Sequence, residues 1–316
     1  MSNTHSMPAC VYRKASITDM LRGHARCASV MATILLAVLP LTGTSDSDLG
    51  VFDDDGTRIV LPAPAKRIIS LAPSMTELLF SLGAGDQLVG VMDYSDYPPE
   101  ALSLPVVGRY DSLDMERIVA LQPDLIVAWR SGNPRGALNR LATLGFPVYV
   151  AEPDSLASIG DHLQRLGILT GHAAEGAQLN RQFSRQIEQL RADFGDKEPV
   201  RVFYQVWHSP MISVGGNELI NDMINLCGGG NIFAELPVGP KVNLEDVLAR
   251  NPQVIIASGS SAQAPAWLDE WLRWPQLAAV GNQHLYVIPP DQVQRHSLRA
   301  LQGARQMCGH IDQARR

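Results

Sequence analysis

The strongest constraint in this sequence is that it says nearly the same thing twice. MERIVALQPDLIVAWRSGN, from Met115 to Asn133, is echoed by LEDVLARNPQVIIASGS, from Leu244 to Ser260, with Glu116 matched to Glu245 and Pro123 to Pro252 at one constant offset. Each copy reads as a helix, a short loop and a buried strand. Asp114 and Asn243 stand where an N-cap belongs, the two glutamates fall in the first helical turn, and each proline stops its helix ahead of an aliphatic run. Such a chain is expected to fold as two pseudo-symmetric lobes.

The pattern around the echo agrees. RIISL, LVGV, PVVG, DLIVAW and FPVYVAE read as strands of a first lobe, separated by helices starting near Ser74, Asp114, Arg135 and Ser155. Leu179, Phe183, Ile187, Leu190 and Phe194 then recur at spacings of four and three, which marks one long amphipathic helix. Beyond it come VRVFYQVW, a helix from Asn217 to Cys227, one from Asn243, the strand QVIIAS, a helix around WLDEWLRW, the strand LYVIP and a helix from Ser297. The fold class is therefore α/β, with two Rossmann-like lobes joined by one long α-helix. The expected divisions are a hairpin over residues 49–62 turning at Asp55-Gly56, a first lobe over 63–170, a linker helix over 171–196 and a second lobe over 197–316.

Residues 1–44 belong to another class. Arg13, Lys14, Arg22 and Arg26 precede CASVMATILLAVLPLTGT, an apolar run too short to span a membrane, and the arrangement reads as a cleaved secretory signal. Met20 opens a segment of ordinary signal length, leaving residues 1–19 as a candidate upstream extension. No cysteine follows the apolar run in a lipid-attachment position, so the product is expected free in the periplasm. Removal of the signal takes Cys10 and Cys27 and leaves Cys227 and Cys308 in an oxidising compartment, where pairing is the simplest outcome and contributes about 4 kcal/mol.

The chemistry is that of a binder. The formal charge of −6 excludes a nucleic-acid partner, whose phosphates need a basic face. GAGDQL lacks the third glycine of a dinucleotide fingerprint, ASGSSA does not match a nucleophile elbow, and His162, His172, His208, His284, His296 and His310 are scattered without metal-ligand spacing. No catalytic residue, metal or cofactor is assigned. What stands out is aromatic residues at strand ends: Tyr94 and Tyr97 in MDYSDYPP, Tyr110 in GRYDS, Trp129 with Arg130 in AWRSGN, and Trp207 with His208 after VFYQV. Open α/β sheets bind ligands outside the carboxyl ends of their strands, so these residues converge on an inter-lobe cleft suited to a large, flat, largely uncharged molecule.

At RIISLAPSMTELLFSLGAGDQLVGVMDYSDYPPEA, LDMERIVALQPDLIVAWRSGN and CGGGNIFAE the chain resembles the periplasmic cobalamin-binding receptors of ABC importers, within the helical-backbone periplasmic binding proteins that also serve siderophores and haem. The resemblance runs from about Lys66 to the end. It implies corrin contacts at Tyr94, Tyr110 and Trp129, a disulfide between Cys227 and Cys308, and docking of the importer's membrane subunits through Glu116 and Glu245, one carboxylate per lobe. The transported ligand would be cobalamin or a related corrinoid, and the receptor a monomer. Where cobalamin receptors often place second-lobe aromatics this chain has Val206, Gly239 and Gln292; Trp207 is expected to replace a lost ring and His208 to approach the cobalt.

Three rivals remain. A ferric-siderophore receptor would draw on Arg109, Arg130 and Arg295, and a haem receptor would take His208 or Tyr94 as axial ligand. An enzyme on this scaffold would turn its ligand over. A module that binds only other proteins would respond to no small molecule.

Overall fold

The computed structural model describes residues 49–259 and 266–316, so the expected signal over 1–44 lies outside the described residues. The chain enters through an antiparallel hairpin, β1 (Leu49–Phe52) and β2 (Arg58–Leu61). Asp53 accepts the amides of Asp55 and Thr57 across the turn, at 3.0 and 2.7 Å, and Gly56 takes the positive φ of 75° that the reversal needs.

In the first lobe come β3 (Ile68–Ser70), α1 (Pro73–Ser81), β4 (Leu88–Val91), a two-residue ribbon β5 (Gly108–Arg109) and β6 (Ser112–Leu113), α2 (Met115–Ala120), β7 (Leu125–Trp129), α3 (Arg135–Thr143), β8 (Val148–Ala151) and α4 (Leu156–Thr170). Its four-stranded sheet is parallel, in the order β4-β3-β7-β8. PVVG, read as a strand, adds only one bridge to this sheet, from Val106 to Val91, while its Gly108 pairs with Leu113 in the β5–β6 ribbon.

After α5 (Ala173–Phe194), the second lobe builds β9 (Val200–Gln205), α6 (Leu219–Leu226), β10 (Gly229–Asn231), α7 (Leu244–Arg250), β11 (Val254–Ser258), α8 (Ala278–Gly281), β12 (Leu285–Ile288), α9 (Pro290–Val293) and α10 (Ala300–Gln313). Its sheet, β10-β9-β11-β12, is also parallel and repeats the first lobe's order strand for strand. WLDEWLRW takes 3-10 rather than α geometry over Ala266–Arg273. The strand β10 was not foreseen, because its Gly-Gly-Asn carries no β-branched or aromatic residue.

The echo holds to atomic detail. Asp114 accepts the Arg117 amide and Asn243 the Asp246 amide, at 2.9 and 2.8 Å, so both N-caps are real. Gln122 and Asn251, each just before its proline, share a left-handed backbone with φ of 47° and 44°. Arg67 donates to the freed carbonyls of Leu121 and Gln122, and Arg201 donates to that of Asn251. In return Asp124 accepts the Arg67 amide and Gln253 the Arg201 amide. Each lobe thus ties its central strand to the end of the echoed helix through one arginine and one side-chain acceptor.

Alternate residues of the strands face different cores. Ile69, Ile126, Ala128 and Val150 pack under α2 and α3, while Phe203, Ile255 and Ala257 pack against Val247 and Trp271 in the second lobe. The opposite faces of both sheets join one continuous core: Ile68, Val127 and Tyr149 in the first lobe, Phe183 and Ile187 of α5, and Val202, Ile256 and Met307 in the second. A shared core of this extent restricts the lobes to small relative motion. Cys227 and Cys308 form a disulfide, Cα to Cα 4.7 Å, tying the end of α6 to α10 across 81 residues of sequence.

Candidate functional site

The carboxyl ends of both sheets border a cleft of about 350 Å³. Trp129, Ser131, Glu152, Pro153 and Asp154 form one wall, and Val206, Leu219, Val293, Gln294 and His296 the other. A second compartment of about 300 Å³ shares Trp129, Gln294 and His296 and continues to Pro73, Pro290 and Arg295. Trp129 and His296 therefore stand where the compartments meet, ring centroids 5.9 Å apart.

The residues after β7 explain how Trp129 is held. Asn133 accepts the Trp129 amide at 2.7 Å and donates to the Leu71 carbonyl at 2.8 Å, fixing the strand end against β3. Gly132 lies flat on the indole, where an added Cβ would come within 1.9 Å of the ring. The indole Nε1 is buried without a hydrogen-bond partner among the described residues, a cost of about 1–3 kcal/mol that a purely structural side chain has no reason to carry. Ser131 hydrogen-bonds Glu152 through its amide, at 2.8 Å, and its hydroxyl, holding that carboxylate at the rim.

The other sequence-derived candidates are dispersed. Tyr94 and Tyr110 sit on strand-end loops, 73% and 78% exposed, and neither lines the two compartments. Trp207 is also exposed, its Nε1 donating to the Ser209 carbonyl at 3.2 Å. His208 is not in the cleft. It stacks on Trp267 at 5.9 Å beside Glu270, in a separate pocket of about 210 Å³ with Trp271 and Trp274. Arg130 lines neither compartment: its guanidinium holds Asp55 at 2.6 Å and the Asp54 carbonyl, bracing the entry hairpin. Glu116 and Glu245 are exposed at the starts of their helices, and neither has an ion pair among the described residues.

Sequence reasoning missed the group that joins the lobes beneath the second compartment. Glu77 of α1 is 2% exposed and accepts from Arg295 at 3.1 Å, Ser297 at 2.6 Å and Arg299, all from the second lobe. Arg295 also reaches Asp96 at 2.6 Å, Asp291 at 3.1 Å and the Tyr94 carbonyl at 3.3 Å, and Arg299 lies over the Tyr97 ring at 4.3 Å. The hydrogen bond from Arg295 holds the Asp96 carboxyl below the usual carboxylate range. A single glutamate inside an amphipathic helix gave no sequence signal for this cluster. His296 was noted only as one of several scattered histidines; burial, aided by nearby His162, pushes its pKa down to about 4, so its ring is neutral.

Two parallel-sheet lobes on a shared helical spine, with a cleft at their strand ends, define a two-lobed binding protein, and the chain belongs to the periplasmic binding protein family, whose profile matches residues 68–292. It is 37% identical over 252 residues to the vitamin B12-binding protein of Vibrio cholerae serotype O1, covering 79% of this chain and 90% of that protein. The crystal structure of the periplasmic vitamin B12 binding protein BtuF of Vibrio cholerae is similar at a TM-score of 0.74 and 36% identity, covering 80% of this chain and 99% of that one. The periplasmic heme-binding protein RhuT of Roseiflexus sp. RS-1, at 23% identity, a TM-score of 0.70 and coverage of 80% and 100%, shares the fold.

Proposed function

We propose that this protein binds cobalamin or a related corrinoid in the inter-lobe cleft and delivers it to an ABC importer, without chemistry on the ligand. The observation that carries the reading is the cleft's chemistry. Trp129 offers an aromatic face, Val206, Leu219 and Val293 an apolar wall, and no lysine or arginine among the described residues lines the larger compartment. A corrinoid rimmed with neutral amides suits such a surface, whereas the anionic groups of a siderophore or haem need cations. Arg295, which lines the second compartment, is already engaged by Glu77, Asp96 and Asp291. The named relatives' ligand supports the same choice.

Tyr94, Tyr110 and Trp207, exposed on strand-end loops outside the two compartments, are the further rings this reading assigns to the ligand; each ring that stacks on it adds about 1 kcal/mol beyond its buried area. Glu116 and Glu245, equivalent by the internal repeat and without an ion pair among the described residues, are the handles for two symmetry-related membrane subunits. Export by a signal within residues 1–44 and action as a monomer belong to the same reading. Calorimetric titration of the purified chain lacking residues 1–44 with cyanocobalamin, cobinamide, haemin and a ferric siderophore tests it. Corrinoid-only binding is expected; binding of haemin or siderophore but no corrinoid refutes it.

A further inference from the structure

His296 differs from the other histidines of the fold. His162 is bonded to Tyr149 at 2.7 Å and Asp54 at 3.0 Å, His284 lies 3.2 Å from the Gln253 carbonyl, and His310 stacks on Tyr286 at 4.1 Å. His296 instead lines both compartments of the cleft, lies beside the Trp129 ring, and has no hydrogen-bond partner among the described residues. Its nitrogens are not among the sealed polar atoms, so they are reachable from the cleft. An imidazole with no hydrogen-bond partner, open to the cleft beside an aromatic face, is an arrangement that can complete an axial position on a transition metal.

The charges around it narrow the ligand further. Glu152, Asp154 and Glu218 line the same compartment, unaccompanied by any cation among the described residues. Such a field disfavours the phosphate of a corrinoid's nucleotide loop and favours the cationic cobalt(III) ring alone. We propose, on the corrinoid reading above, that the His296 imidazole is an axial ligand to the cobalt of a corrinoid that lacks its nucleotide loop. The imidazole lone pair forms the cobalt–nitrogen bond as an axial water leaves; cobalt keeps its oxidation state and no proton moves.

The test titrates wild type, His296→Ala and His296→Gln with diaquocobinamide, following heat and visible absorbance together, with circular dichroism to check that each variant is folded. Wild type is expected to shift the corrinoid bands, both variants to bind at least about tenfold more weakly with no shift, and His208→Ala to retain it. Cyanocobalamin, whose axial positions are both filled, should show no shift with wild type. Heat of binding with unchanged bands in wild type, or the same shift in both His296 variants, overturns the axial role while leaving the corrinoid reading intact. Absence of any corrinoid binding overturns both.

Discussion

Glu77 is the perturbation with the clearest arithmetic. Its carboxylate is 2% exposed and takes charge-assisted hydrogen bonds from Arg295 and Arg299, whose side chains are only 16% and 18% exposed. Breaking a buried pair by removing one partner costs about 3–5 kcal/mol, because the surviving charge is left desolvated. Here both arginines retain Asp291, at 3.1 and 3.7 Å, and Arg295 retains Asp96, so the loss for Glu77→Ala belongs near the lower end, about 3 kcal/mol. With a urea slope of about 3 kcal/mol/M the unfolding midpoint should fall by about 1 M. Asp96→Asn removes a carboxylate from the same Arg295, but one 49% exposed, and should cost less than about 1 kcal/mol. Equilibrium urea unfolding followed by circular dichroism reads both variants. If Glu77→Ala loses no more than Asp96→Asn, burial does not set the strength of this cluster and the reasoning fails.

Gly132→Ala should displace the Trp129 ring and weaken corrinoid binding about tenfold with the fold intact by circular dichroism, and unchanged affinity would show that the ring position does not matter. Replacing Cys227 and Cys308 by Ala should remove about 4 kcal/mol and lower the melting temperature by about 8 °C, measured by calorimetry against the oxidised protein. Glu116→Ala with Glu245→Ala should impair corrinoid uptake in cells while ligand affinity stays normal and stability changes by under about 1 kcal/mol; normal uptake would remove the docking role. His296 titrates near 6.5 when unfolded and about 4 when folded, with His162 lowering and Asp154 raising its value, so the unfolded chain binds more protons in between. Its share of stability, up to about 3 kcal/mol, is present above pH 6.5 and lost as pH falls toward 4, and urea midpoints of wild type should fall more steeply over that window than those of His296→Gln.

What the sequence made legible is what repeats or alternates. The echoed segments carried the caps at Asp114 and Asn243, the proline stops and the buried strands, because each depends on residues adjacent in the chain. The cleft was legible only as a region: Trp129 could be placed at a strand end, but its contact with His296 depends on chain segments far apart in sequence. For the same reason Arg130 looked like a ligand residue. A strand-end arginine has the same appearance whether it faces a cleft or a hairpin, and only the fold brings Asp55 to it.

The Glu77 cluster shows the limit most sharply, and it also says something about how the site works. A buried carboxylate in the first lobe that is satisfied only by Arg295, Ser297 and Arg299 of the second is unpaired whenever the lobes separate. Together with the continuous core, it makes a wide opening costly, so the cleft is held close to its binding geometry before a ligand arrives. Selectivity must then reside in the groups fixed around that preformed space: the Trp129 face, the carboxylates of Glu152, Asp154 and Glu218, and the His296 ring, which has no hydrogen-bond partner among the described residues. Large domain closure could reposition a distant cation to meet an anionic ligand, but a clamped cleft cannot. That is why the absence of a free cation among the described residues lining it carries weight for the choice of ligand.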